Sequence, residues 1–185
     1  MRDRLREAWT LLETVTPLKA DCGQVCGGRC CRPDGDHIGM RLFPGEERLL
    51  PERGYTLRPA AGGTLYTCEG ICDRACRPLA CRMFPLFPYV TKEGRVRAVF
   101  DPRGFRVCPL VRQSAHVPLE RAFVRAVRRA GRILMGDDAC RAFLEENSRE
   151  IEELWRFLPP DRGRPPICRR PLYTDIHISG KERTE

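Results

Sequence analysis

Eleven cysteines, nine of them between Cys22 and Cys108, constrain this 185-residue chain more than any other feature. They fall into Cys22-x3-Cys26-x3-Cys30-Cys31, then Cys68-x3-Cys72-x3-Cys76-x4-Cys81, then Cys108-Pro109. Cysteines at this density mean disulfides in an exported chain or metal thiolates in one kept reduced. The opening stretch MRDRLREAWTLLETVTPL carries Arg2, Asp3, Arg4, Arg6 and Glu7 and lacks an apolar run followed by a cleavage site. The expectation is therefore no export signal and a cytoplasmic location. The apolar stretch from Met83 to Val90 is broken by Pro85 and Pro88. It falls far below the roughly 20 residues that cross a bilayer, so no membrane partner is expected. An odd cysteine count in such a chain favours metal thiolates over a disulfide framework, which stands as the alternative.

The spacing constrains the local fold. Zinc–sulfur bonds of about 2.3 Å keep two sulfurs on one ion within roughly 4.6 Å. Residues i and i+8 on a straight helix are about 12 Å apart in rise. Cys22 and Cys26 can share a helix face, but adding Cys30 requires a bend, for which Gly27 and Gly28 supply the freedom. Pro78 offers a similar turn in the second cluster. No pair shows the C-x2-C spacing of zinc ribbons, thioredoxin-like redox sites or bacterial ferredoxins, and the radical S-adenosylmethionine spacing is also missing. Spacing alone leaves open which cysteines share an ion.

The 33 basic and 25 acidic residues give a formal net charge of +8. A zinc tetrathiolate carries about −2, so part of this excess offsets thiolates. Arg29, Arg32, Arg74, Arg77 and Arg82 stand near the cysteines, where cations stabilise anionic sulfur.

Outside the clusters the pattern is ordinary. Leu5, Ala8, Trp9, Leu12 and Val15 predict an amphipathic helix closed by Pro17. Ile38–Leu42 and Leu65–Thr67 read as short strands, and Pro44-Gly45-Glu46-Glu47 opens a brief helix through Leu50, with its acids near the positive end. Phe87–Val90 and Val96–Phe100 flank a Lys92-Glu93-Gly94 turn and predict a hairpin. From Pro118, a stripe through Leu119, Ala122, Phe123, Ala126, Val127, Ala130, Ile133 and Leu134 predicts one helix, broken at Gly136. Asp137 or Asp138 can cap a second, with Cys140, Phe143, Leu144, Ile151, Leu154, Trp155 and Leu158 inward. These two helices are expected to pair antiparallel. The expected fold is α+β: a small, irregular, metal-stapled domain over 1–158, with a cysteine-rich part at 20–110, a short β-hairpin and a helical pair at 118–158. A Pro- and Arg-rich arm or partly disordered tail follows at 159–185.

The run Arg77-Pro78-Leu79-Ala80-Cys81-Arg82-Met83-Phe84-Pro85, preceded by Cys72 and by a cluster ending in Cys30-Cys31, resembles the YkgJ-type cysteine-cluster family of zinc- or iron-chelating domains. Its R-P-x-x-C-R-x-F-P core is the most specific part. In that family a C-x2-C-x2-CC-like start precedes a short Pro-initiated acidic helix, the core, and a later cysteine. Cys22–Cys31, Pro44–Leu50, Cys81 and Cys108 fill those places here, covering about 20–110. The first cluster departs by its x3, x3 spacing, and Cys76 is an additional cysteine. Cys72 also lies about one residue closer to the core. The resemblance implies metal or iron–sulfur binding and no general activity.

The candidate metal ligands are thus Cys22, Cys26, Cys30, Cys31, Cys68, Cys72, Cys76, Cys81 and Cys108. They are expected to hold an iron–sulfur cluster, such as 4Fe-4S, or Zn²⁺, with a redox or cluster-dependent role and a protein or redox partner. Thiolate-rich, histidine-poor donors suit both metals. Cys140 reads as a buried small hydrophobe and Cys168 as a thiol in the tail. His37, His116 and His177 stand at no ligand spacing. No cysteine is marked as a nucleophile with a histidine base, and no phosphate loop or G-x-G-x-x-G is present. Arg77 and Arg82 either donate to cluster sulfurs or pair with Glu69 and Asp73. The alternative function is a zinc-stabilised, non-catalytic adaptor for nucleic acid or protein, with Arg125, Arg128, Arg129 and Arg132 as a basic helix face.

Overall fold

A computed structural model describes residues 2–31, 39–51, 54–68, 74–113 and 118–157. The apolar spacing at the start gives α1, Arg2–Leu11, and buries Leu5, Ala8 and, just past its end, Leu12. Val15 lies beyond the helix, which stops short of Pro17. Thr14, Val15 and Thr16 form a β-branched run that helices disfavour. Arg74 takes the released carbonyls, donating from Nε to Glu13 at 3.0 Å and from Nη2 to Leu12 at 3.2 Å and to Val15.

Two antiparallel sheets follow. Met40–Arg41 (β1), Tyr55–Ala60 (β2) and Gly63–Cys68 (β3) form the first, in the order β1-β3-β2. The expected strand at Ile38–Leu42 narrows to β1, with Ile38 outside the described residues, and Leu65–Thr67 extends to β3. β2 carried no sequence signal, since it is mostly exposed and contains Pro59. It is an edge strand, where a missing N–H costs no ladder bond. The expected helix at Pro44–Leu50 is a single 3-10 turn, Glu46–Leu49.

The hairpin of the second sheet sits at the centre. Leu86–Val90 (β4) and Val96–Phe100 (β5) pair with Leu86 opposite Phe100 and Val90 opposite Val96, around a turn in which Gly94 adopts φ 74°. Every residue of β4 is buried, because the hairpin is covered on both sides. Helix α5, Arg121–Leu134, lies so close that a Cβ on Gly131 would fall 2.5 Å from Pro88 Cβ and 2.7 Å from Val96 Cγ1. Helix α6, Asp138–Phe157, brings Trp155 to 5.7 Å from the Tyr89 ring. Its Ser148 Oγ accepts the Val90 N–H at 2.9 Å and donates to the Leu144 carbonyl at 2.7 Å.

Both expected C-terminal helices are present, joined by the turn at Gly136, but they pack little on one another, because the hairpin and α1 take up their apolar faces. Their main packing is on the hairpin, and α5 also packs along α1. Helices and antiparallel strands in separate segments make the fold α+β. No helix among the described residues is long and apolar enough to cross a membrane. Residues 158–185 lie outside the description.

Candidate metal centre

The first cluster folds as its glycines require. Cys22–Cys26 form a one-turn helix, α2, with Asp21 as N-cap accepting the Gly23 N–H at 3.1 Å. Gly27 ends it in the left-handed region at φ 67°, and Gly28 follows at φ 66°. The chain then turns into a 3-10 turn at Arg29–Cys31. The bend therefore falls between Cys26 and Cys30, as the spacing argument demands.

The second cluster is held to the first by charge. Arg77 donates from Nη1 to Asp21 Oδ1 at 3.3 Å and from Nη2 to Oδ2 at 3.1 Å. Burial works to raise the Asp21 pKa, yet Arg77 and the Gly23 N–H together hold it below its ordinary value. One side chain thus caps the cysteine helix and anchors the Arg-Pro core. Arg82 is buried; its Nε donates to the Arg77 carbonyl at 2.8 Å and its guanidinium lies 4.4 Å from the Trp9 ring centroid. Glu69 and Asp73, the partners considered from sequence, lie outside the described residues.

Cys81 sits on α3, Leu79–Met83, and the first N–H of that helix donates to a fully buried carboxylate, Glu46. The same carboxylate accepts from Trp9 Nε1 at 3.2 Å and from the Phe43 N–H at 3.0 Å. Burial pushes the Glu46 pKa up from 4.5 to about 7, against these three bonds and the attraction of Arg82. Glu46 therefore joins α1, its own 3-10 turn and the cysteine-bearing core. Sequence reading placed it at the start of its own short helix, where acids are favoured. It serves another helix instead.

Cys108 begins the short helix α4, Pro109–Arg112, and is 7 % exposed. Burial raises its pKa; the Val111 and Leu110 N–H groups pull the other way, and Cys26 adds to the rise. Burial, then Asp21, Cys26 and Cys108, push the Cys22 thiol up to about 11, with Arg77 opposing. Cys22, Cys26 and Cys108 thus lie within electrostatic reach of one another, although they come from opposite ends of the cysteine-rich half. Soft donors from two segments, with N–H groups aimed at one sulfur and a guanidinium near another, fit thiolate ligation in kind. Among the described residues no three His, Cys, Asp or Glu side chains form a group that could hold one ion.

The remaining candidates sit on other elements. Cys30 lines a cavity of about 440 Å³ together with Ala80 and Val107, the sequence neighbours of Cys81 and Cys108. Cys76 ends the 3-10 turn Arg74–Cys76, and Cys68 ends β3 opposite Tyr55. For Cys31 only the backbone is described, and Cys72 lies outside the described residues, as do Cys168 and the three histidines. Cys22, Cys26, Cys76, Cys108 and Cys140 are free thiols. Cys140 is fully buried in α6, its thiol pushed up to about 12 first by burial and then by Asp137, in keeping with a packing role.

The far wall of the cavity is a polar network that sequence reading missed. Arg103 donates to Asn147 Oδ1 at 2.6 Å and pairs with Asp101 at 2.8 Å, while Arg41 pairs with Glu150. Asn147 is fully buried and donates to the Phe143 carbonyl at 2.8 Å. A polar Asn147 at an inward position of α6 was its one visible signal. The chain matches no family model, no curated protein and no solved structure.

Proposed function

We propose that this is a cysteine-cluster protein that binds an iron–sulfur cluster, or zinc in its place, through thiolates. The reading rests above all on the clustering of nine cysteines between Cys22 and Cys108; that Cys26 of α2 raises the Cys108 thiol and Cys108 raises that of Cys22 is in keeping with α2 lying near the head of α4. The Asp21–Arg77 pair, which ties α2 to the segment bearing Cys81, adds support. So does the likeness of Arg77–Pro85 to the YkgJ-type core. In this reading Cys22, Cys26 and Cys108 are ligands, completed from Cys30, Cys31, Cys68, Cys72, Cys76 and Cys81. A bound metal replaces thiol protons whose loss is otherwise costly in this buried setting. An iron–sulfur cluster supplies one-electron chemistry, with a protein redox partner in a reducing compartment such as the cytoplasm. Zinc makes the centre structural.

The test is anaerobic purification with an absorption spectrum and quantification of iron, acid-labile sulfide and zinc, on the wild type and on C22S, C108S and C140A. Brown protein with iron and sulfide, or colourless protein with stoichiometric zinc, is expected. The first two variants should lose metal and the third retain it. Metal-free wild type, or C108S with unchanged content, overturns the proposal.

A further inference from the structure

The close seating of Gly131 on Pro88 and Val96 has a second result. It sets Arg128 and Arg132, one turn apart on α5, beside Arg95 and Arg97 of the hairpin. With Gly94, Val96 and Met135 these four arginines line an open concavity of about 460 Å³. No carboxylate and no aromatic ring is among the lining residues.

Several arginines elsewhere in the described fold are ion-paired. Arg41 and Arg103 share Glu150, Arg77 takes Asp21, Arg141 takes Asp138 and Arg156 takes Glu152. None of the four arginines that line the concavity has an ion pair among the described residues. The acid that responds to Arg95 and Arg97 is Glu93, and it is exposed at the hairpin turn, where it accepts from Thr91 at 2.8 Å. Four arginines lining one hollow with no carboxylate between them concentrate positive charge there, and an anion with several oxygens suits the fork geometry of the guanidinium. Without a ring to stack a base, such a surface holds phosphate and reads no sequence.

We propose that the Arg95–Arg97–Arg128–Arg132 concavity is a binding site for the phosphate groups of a polyanion, whether in a nucleic-acid backbone or in free polyphosphate. This site is separate from the cysteines and does not depend on their metal. It also divides the helix face expected from sequence, since Arg125 and Arg129 are exposed but do not line the hollow.

The full-length protein, with whatever metal it carries, is titrated against a labelled single-stranded oligonucleotide of mixed sequence by fluorescence anisotropy, and against tripolyphosphate by calorimetry. R128A/R132A is compared with R125A/R129A, which removes the same charge from the same helix. R95A/R97A replaces the first pair if its unfolding midpoint is altered. A loss of at least about tenfold in the concavity variant is expected, against less than about twofold in the control, with the log–log salt slope falling by about 1.5. Oligonucleotide binding with this dependence supports the site with nucleic acid as the source. Tripolyphosphate binding alone, with the same dependence, supports it with free polyphosphate. Equal weakening in both variants, or no binding of either probe at about 50 mM salt, overturns it.

Discussion

Replacing Glu46 by glutamine removes a titrating group from the interior while nearly preserving its shape. Its carboxylate is fully buried among the N–H groups of Trp9, Phe43 and Leu79. Arg82 of α3 faces it as a cation, and Cys140 of α6 feels its charge. Burial moves its pKa from 4.5 to about 7 in the folded protein. Since the folded state holds the proton more tightly, this contribution to stability is complete below pH 4.5 and is lost as pH rises through about 7. At about 1.4 kcal/mol per unit, the loss comes to about 3 kcal/mol. Urea unfolding of wild type and E46Q at pH 5 and pH 8.5 isolates the effect, because every other titrating group is common to both. At pH 5, E46Q should be less stable by about 1–3 kcal/mol, since its amide nitrogen cannot accept from one of the three donors. By pH 8.5 the gap should close or reverse. Parallel pH profiles of the two proteins would refute the reasoning.

Other perturbations test the packing around the site. Gly131→Ala puts a methyl group 2.5 Å from Pro88 Cβ, and forcing the helix off the hairpin should cost about 1–3 kcal/mol, read from the denaturant midpoint. Ser148→Ala leaves the buried Val90 N–H without its partner and should cost about 1–3 kcal/mol on the same assay. Asp21→Asn keeps an oxygen to cap α2 but removes the charge facing Arg77. This pair is partly exposed, so the stability loss should be at most about 1 kcal/mol. Reduced metal content on purification should be the larger effect.

Much of the fold was legible because it is written locally. Of the predicted stripe, Phe123, Val127, Ala130 and Leu134 became the buried face of α5 while Ala122 is exposed, and residues 138–157 became α6. The β-branched runs around Gly94 became the hairpin. β2 left no such trace, because an exposed edge strand needs neither an apolar face nor an N–H at Pro59. The end of α1 was misplaced because carbonyl capping by Arg74 is a contact across 59 to 62 positions of chain.

At the centre the same division holds. The sequence by itself determined that Cys22 and Cys26 share a helical turn and that Gly27 and Gly28 bend the chain before Cys30, since both follow from backbone dihedrals and spacing. Only the tertiary structure decided that Cys108 comes within electrostatic reach of Cys22, that Asp21 reaches Arg77, and that Glu46 supports the helix carrying Cys81. Those choices depend on how α5 and α6 close on the hairpin and α1 on α5, and so on which distant segments are desolvated together. Local propensity sets the geometry of each turn, but it carries no information about which turns will share a buried space.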